Sequence, residues 1–492
     1  MRNKKEKIES LSGSGGLNFR KFSYLLIGIF CVACTQYSDS DVKARASSVS
    51  RDTDLATSQV EPLRERSTLP NMAPTMGSWV TQMNREPTAI HMTWSQPDAA
   101  DGMTFSWSTR NADDDNYTPR VWVVPKDLTV LDGDTIQMPL SPEFVHDGYG
   151  IVYKENLLGV DFGLKRYVVW HVEVDGLEPD TEYVYRVGTW ADFDGTHLIA
   201  PDLSLAMSFR TAPQKGVRQP LKFILAGDSR GGTWEIHKHI GKMNEHKVLA
   251  WFFNGDMTQA GTQSEWGQWW DAMSPVTTRG SLMPVQGNHE VFANVFYEQF
   301  VLPRHSELPW EWQEHGWAVD VGNVHFVGLD SNSDYSVEAL VGWLREDLLK
   351  ARNDPDIDWI VAMMHHPAWS SSKHGSTDRV RHHWVPLFDE AMVDVVFAGH
   401  DHNFERTKPL RGFDIVDSDQ GTIYVVAGAF FSPPYQNGRS WFTDVSFSGE
   451  GGSYVVMTTT ESTLEILTYS GNSETVLDRY EIRKKNIPRT TY

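Results

Sequence analysis

Five short runs of polar, metal-binding residue types recur where an apolar stretch gives out. GDSR (227–230) follows FILA, NGD (254–256) follows LAWFF, GNHE (287–290) follows SLMPV, HHP (365–367) follows WIVAMM, and GHDH (399–402) follows VDVVFA. Apolar runs this short, closed by Gly, Asn or Asp, read as buried strands ending in turns. Carboxylate, amide and imidazole groups therefore emerge repeatedly from strand ends in one region. That pattern builds a cluster of ligand-bearing loops and contributes nothing to a packed core.

The rest of the chain bounds what such a cluster can belong to. At 492 residues the chain exceeds what one hydrophobic core supports, so two folded domains with tails are expected. The formal charge is -21, and the first 33 residues are basic, so the remainder is more acidic still. Such a surface repels phosphate polymers unless a local cation intervenes, which argues against a nucleic acid polymer as partner; a bound divalent metal would be that cation. Both cysteines, Cys31 and Cys34, lie in one apolar segment, so no disulfide staples the folded part.

Arg20 and Lys21 precede an apolar run at 22–33, too short to span a bilayer comfortably and suited to a signal peptide. Val32, Ala33 and Cys34 resemble the end of a bacterial lipobox, in which Cys34 would be lipidated after cleavage, although Cys31 stands where that motif usually has Leu. An ordinary signal peptide with a spare cysteine is the other reading, and the long segment before Arg20 would suit a start further downstream. The expected location is periplasmic or cell-surface, with the membrane touched only through an N-terminal lipid anchor. Residues 35–76, rich in Ser, Thr and charge and poor in aromatics, read as a disordered tether.

From 77 to 215 the runs AIHMTWSQ, MTFSWSTR, RVWVVP, YVVWHVEVDGL, TEYVYRVGTW and SLAMSFRTA alternate apolar and polar residues between turns, which predicts an antiparallel sandwich. DGLEPDTEYVYRV followed by FRTAP resembles the late strands of a fibronectin type III-like module, with a scaffold role and no catalytic cluster. From 216 to 492 strands alternate with helical stretches such as 337–352, as β/α units require, and alternating strands return in a C-terminal β segment.

Each polar run taken singly has an ordinary structural explanation: an Asp as helix cap, an Asn in a turn, a histidine satisfied at the surface. Jointly they offer hard oxygen and imidazole ligands, a set that suits Mn, Fe or Zn and allows two metals to share a carboxylate. The order GD, GD, GNHE, H, GHxH resembles the calcineurin-like metallophosphoesterase superfamily. WGQWWDAMSPVTTRGSLMPVQGNHE, GWAVDVGNVHFVGLD and GHDHNFER are similar to segments of purple acid phosphatases, with the likeness running over about residues 80–430.

The resemblance implies an α/β fold, a four-layer sandwich of two mixed sheets flanked by helices, preceded by an all-β fibronectin type III-like domain. It makes Asp256 the carboxylate bridging two divalent or trivalent metal ions (Fe, Zn or Mn). Asp228 and His402 would complete one metal, and Asn288, His365 and His400 would hold the other, with His366 the weaker of the paired histidines. His289 would face the substrate as general acid or leaving-oxygen stabiliser, and His374 matches a substrate-binding histidine by spacing.

Two positions depart from the family pattern. Gln259 stands where purple acid phosphatases carry the tyrosine that gives their colour, so the protein should not be purple and a preference for ferric iron is in doubt. Arg230 replaces a histidine often found two residues after the first Asp, leaving the first metal with fewer protein ligands. A guanidinium there would either grip phosphate oxygens by paired hydrogen bonds or form a salt bridge to a loop carboxylate.

The function so implied is hydrolysis of phosphomonoesters by in-line attack of a metal-bridging hydroxide. Diester or nucleotide hydrolysis on the same core is the alternative, and a catalytically inactive cell-surface binding lipoprotein is the alternative of another class. His237, His239, His382 and His383 sit in helical or polar stretches and are not expected to take part in the chemistry.

Overall fold

A computed structural model describes residues 86–484 apart from 111–117, 134, 154–155, 158–159, 162–166, 191, 194–197, 200–201, 294, 334–337 and 449–450. The expected signal segment at 1–34 with Cys34, and the expected tether at 35–76, lie outside the described residues.

The sequence runs that are apolar throughout become strands covered on both faces. In Trp359–Met364 every residue is buried. Trp359, Val361 and Met363 enter the inner core, while Ile360, Ala362 and Met364 enter a second core on the other side. A strand with no solvated face has no reason to alternate, which is why WIVAMM reads as a continuous run. The second core is closed by the helix Glu338–Asn353, whose buried stripe of Leu340, Leu344, Leu348 and Ala351 follows helical spacing.

These strands form a seven-stranded sheet in the order Gly316–Val321, Val324–Leu329, Trp359–Met364, Val395–Ala398, Ile423–Ala427, Phe404–Thr407 and Thr443–Phe447. Its centre is parallel and its edges antiparallel. Facing it is a sheet whose parallel strands are Leu221–Ala226, Ala250–Phe253 and Ser281–Pro284. Phe252 of this sheet stacks on Phe326 of the other with ring centres 4.0 Å apart, and Phe223 meets the same ring edge-on at 5.0 Å. Helices Thr233–Asn244 and Gln263–Thr277 bury Ile236, Ile240, Met243, Trp266, Trp269 and Trp270 in the core shared with the first sheet. Thr262 and Glu265 close a capping box at the start of the second helix. Two mixed sheets flanked by helices are thus the four-layer α/β arrangement expected.

The N-terminal strands form the expected all-β sandwich, and one of its sheets does not stop at the domain. Thr88–Thr93, Gly102–Arg110, Tyr167–Asp175 and Tyr149–Tyr153 extend the sheet of Leu221–Ala226, Ala250–Phe253 and Ser281–Pro284, which reaches ten strands with the C-terminal strands, and Met92 is in parallel register with Ser281. The sandwich's other sheet pairs Glu182–Trp190 with Thr118–Pro125 and with Met207–Arg210. Phe105, Tyr185 and Phe209 pack between the layers. Trp270 stacks on His91 at 4.1 Å, so a helix of the α/β half is fastened to the first strand of the sandwich. At the other end, Ser453–Thr459, Thr463–Ser470 and Val476–Arg483 form an antiparallel meander that joins the same sheet beside Leu221–Ala226.

The edge strand Gly316–Val321 is held by charge as well as by backbone. Asp320 exchanges backbone hydrogen bonds with the 97–99 turn of the sandwich, donating to Pro97 O at 2.7 Å and accepting from Ala99 N at 2.9 Å. Its side chain meets Lys215 at 2.6 Å and His325 Nδ1 at 2.7 Å, while His325 Nε2 meets Asp347 at 2.9 Å. Burial alone would lower the His325 pKa, but the Asp347 and Asp320 carboxylates win and raise it to about 10. A raised folded-state pKa contributes stability that is complete below the unfolded value of about 6.5 and is lost as pH climbs toward 10. His325→Gln should therefore destabilise the protein by a few kcal/mol near pH 6, on the order expected for a broken buried pair. Urea unfolding of both proteins from pH 6 to 10 should show that gap narrowing; a gap that widens would contradict the assignment.

Candidate metal centre

All five polar runs lie at the carboxyl ends of their strands, three on the first sheet and two on the second, so the loops converge over the gap between the sheets. They are fastened to one another by main-chain bonds: Asp228 N donates to Gly255 O at 2.9 Å, Arg230 N to Asp256 O at 3.0 Å, and Gly399 N to His365 O at 2.9 Å. Glycine permits this approach. A Cβ on Gly287 would lie 2.1 Å from Asp256 N, and one on Gly399 would lie 2.3 Å from Asp228 Oδ2. Asp228, Asp256 and His400 have left-handed backbones at φ 61°, 55° and 70°. Non-glycine residues in that region are strained, and the strain persists only where the surroundings over-determine it, as at functional sites.

The side chains brought together form two adjoining groups. Asp228, Asp256 and His402 present ligand atoms within 4.8 Å of one another, and His365, His366 and His400 do the same. Asn288 belongs with the second group: its amide oxygen lies 2.9 Å from His365 Nε2 and 2.9 Å from His400 Nδ1. His365 Nδ1 donates to the carbonyl of Asn254 at 2.8 Å, so in the neutral ring it is Nε2 that carries the lone pair. Two acceptors thus face each other, an arrangement that a cation between them resolves. His366 is tied by Nδ1 to Ser331 Oγ at 2.9 Å.

Electrostatics runs the same way. Burial and then the Asp256 charge hold Asp228 well above the usual carboxylate range, and its Oδ1 accepts no hydrogen bond. Asp256 is buried too, yet His365, His289 and Arg230 outweigh burial and hold it low. Burial, with neighbouring histidines or Arg230 adding to it, pushes His400 well below its ordinary value and His366 and His402 down to about 3. Neutral imidazoles around buried carboxylates are the protonation states a metal ligand set requires. With an orphaned carboxylate oxygen and converging lone pairs, Asp228, Asp256, Asn288, His365, His400 and His402 fit a pair of cations.

The remaining expected residues border this set. His289 is buried, its Nε2 lies 3.9 Å from Asp256 Oδ2, and its Nδ1 is 2.5 Å from Gln259 O. Arg230 lies with Nη1 3.1 Å from His402 Nε2 and Nε 3.9 Å from Asp256. His374 is carried on the 370–375 loop with its ring 4.3 Å from that of His400. His237, at the surface, meets Asp271 at 3.1 Å, and His239 stacks on Phe431; His382 bonds its own helix.

Several further residues support these loops. Glu290 is fully buried and accepts from Asp256 N, Gly287 N, Thr258 N and Thr258 Oγ1 at 2.8, 2.9, 2.9 and 3.0 Å. Asp401 accepts from Ser370 Oγ, His374 N and Gly375 N, and Glu405 from Ser371 and Thr443, so both shape the loop bearing His374. Tyr435 stacks on His402 at 3.9 Å and accepts from Arg230. In the sequence Glu290 lies inside GNHE, Asp401 inside GHDH and Glu405 just after it, where it reads as a residue that locks the loop; Tyr435 carries no such signal.

Comparison with known proteins agrees with this architecture. Residues 221–404 match the calcineurin-like phosphoesterase family, and residues 87–211 match the N-terminal domain of purple acid phosphatases. An uncharacterized protein of Mycobacterium tuberculosis is 29% identical over 317 residues, covering 52% of this chain and 57% of the relative. Purple acid phosphatase 23 of Arabidopsis thaliana is 27% identical over 400 residues, covering 71% of this chain and 79% of the relative. The chain thus spans little more than half the length of the mycobacterial relative. The solved structure of a purple acid phosphatase from yellow lupin (Lupinus luteus) seeds superposes with a TM-score of 0.66 at 18% identity, covering 83% of this chain and 78% of that one. At that identity the likeness is one of fold.

Glu290 allows a direct check on how the centre is held. Burial and the Asp256 charge push it up to about 8, against the donors that favour its ionised form. Above pH 8, where Glu290 is ionised, Glu290→Gln turns one acceptor into a donor aimed at N–H groups, so a loss of about 1–3 kcal/mol in urea unfolding is expected. Unchanged stability would show that the cradle does not hold the loops.

Proposed function

From a purple acid phosphatase-like chain with a calcineurin-like phosphoesterase domain at residues 221–404, we propose a metal-dependent phosphoesterase that hydrolyses phosphomonoesters. The observation that carries this reading is the convergence of Asn288 Oδ1, His365 Nε2 and His400 beside the unpartnered Oδ1 of buried Asp228. Asn288, His365 and His400 would hold one ion, Asp228 and His402 the other, with Asp256 between them. When bound, such ions supply positive charge for phosphoryl oxygens and lower the pKa of water. Preference for monoesters over diesters is supported by the purple acid phosphatases among the relatives.

The chain's own residues would then act as follows. Arg230 and His374, which both border Tyr435, would orient the phosphate group. His289 gives its Nδ1–H to Gln259 O, so any proton it delivers to a leaving oxygen departs from Nε2, the nitrogen that faces Asp256. Gln259, standing where the relatives' tyrosine would be, positions this ring through its backbone. Export and lipid anchoring at Cys34 complete the proposal on the strength of the N-terminal sequence alone.

Asp256→Asn should abolish both metal uptake and hydrolysis. His289→Ala should retain metal by elemental analysis while kcat falls about 10²- to 10⁴-fold, the range for a general acid. A panel of monoester and diester substrates at matched pH tests the substrate class. A strong diester preference would overturn the monoester assignment, and no hydrolysis by metal-replete protein would favour a binding role. Loaded with ferric iron, the protein should show no tyrosinate charge-transfer band in its visible spectrum.

A further inference from the structure

Arg230 reaches into only one half of the centre, and it takes up a lone pair that a metal would need. His402 Nδ1 lies 2.8 Å from the carbonyl of Pro433, so that nitrogen carries the proton and Nε2 is the acceptor. Arg230 Nη1 donates to this Nε2 at 3.1 Å. A ring nitrogen has one lone pair in its plane; it accepts from the guanidinium or ligates a metal, not both. The ring cannot turn away, because Tyr435 stacks on it at 3.9 Å with an interplanar angle of 7°. The backbone of Arg230 is held beside it, left-handed at φ 39° with its N–H bonded to Asp256 O at 3.0 Å, while the side chain can move. The guanidinium also brings a permanent positive charge beside Asp256, with Nε 3.9 Å from Oδ2, which a second cation must face.

The other half has no such competitor. Among the described residues no arginine or lysine side chain hydrogen-bonds Asn288, His365 or His400, whose acceptor atoms already converge.

We propose that Arg230 makes the two metal positions unequal: the Asn288–His365–His400 position fills first, and the Asp228–Asp256–His402 position fills only as the guanidinium is displaced from His402. Displaced, Arg230 keeps Tyr435 Oη, 3.1 Å from Nη1, as its partner. Metal concentration then governs whether Arg230 is spent on His402 or free to meet an anionic ligand. This inference rests on the two-cation reading of the centre.

The test is calorimetric titration of the chelator-stripped full chain with Mn²⁺ alone, with bound metal counted by elemental analysis. The unaltered protein should take up one equivalent tightly and a second at least roughly tenfold more weakly, a difference in the range that outer-shell residues exert on metal affinity. Arg230→Ala should tighten the second equivalent by about the same factor and leave the first unchanged. His402→Ala, which keeps Arg230 but removes its acceptor, should lose the weak equivalent and retain the tight one. Two equal equivalents in the unaltered protein, no gain in Arg230→Ala, or loss of the tight equivalent in His402→Ala would each overturn the inference while leaving the proposed function standing. A chain that takes up no Mn²⁺ at all would overturn both.

Discussion

Two carboxylates, Asp228 and Asp256, lie side by side with 0% and 1% of their surface exposed, so both can be ionised together only where added positive charge compensates them. The rest of the centre is arranged around that requirement. Burial keeps His400 and His402 neutral, so they offer lone pairs to a cation. Left-handed backbone at Asp228, Asp256 and His400 turns three ligand side chains inward at once. Main-chain bonds between the loops hold that conformation against its strain.

A rigid platform stands behind the loops. Strands buried on both faces leave no freedom of register, since a one-residue slip would exchange the inner and outer cores. The sandwich adds to this platform because its first strand is hydrogen-bonded into the α/β sheet and its 97–99 turn grips the edge of the opposite sheet. Deeper in the loops, Glu290 gathers amide donors from the 256–258 and 287 loops and Asp401 from the 374–375 loop, and each so fixes a histidine-bearing segment.

Much of this was legible in the residues. WIVAMM and VDVVFA could only be buried strands, and the polar runs after them had to emerge at strand ends. Which ligand serves which metal came from family resemblance, since spacing alone says nothing about how five loops meet. Illegible parts share a physical cause, which is dependence on partners far away in sequence. Met92 pairs with Ser281, Glu290 is bonded to Thr258 through backbone and hydroxyl, and Tyr435 covers His402 from a Gly- and Ser-rich stretch that also conceals the strand Thr443–Phe447. Val476–Arg483 escaped because it is an edge strand with mostly exposed side chains, so it lacks an apolar signature. Arg230 was visible as a departure from pattern, but its grip on His402 depended on the fold.

The central claim, that the buried carboxylates and their imidazoles form a cation site, is tested most directly by anomalous diffraction from crystals grown in excess Mn²⁺. Two anomalous peaks are predicted, one among Asn288, His365 and His400 and one among Asp228, Asp256 and His402. Absence of anomalous density at these residues, with Mn²⁺ bound elsewhere or not at all, would contradict the account.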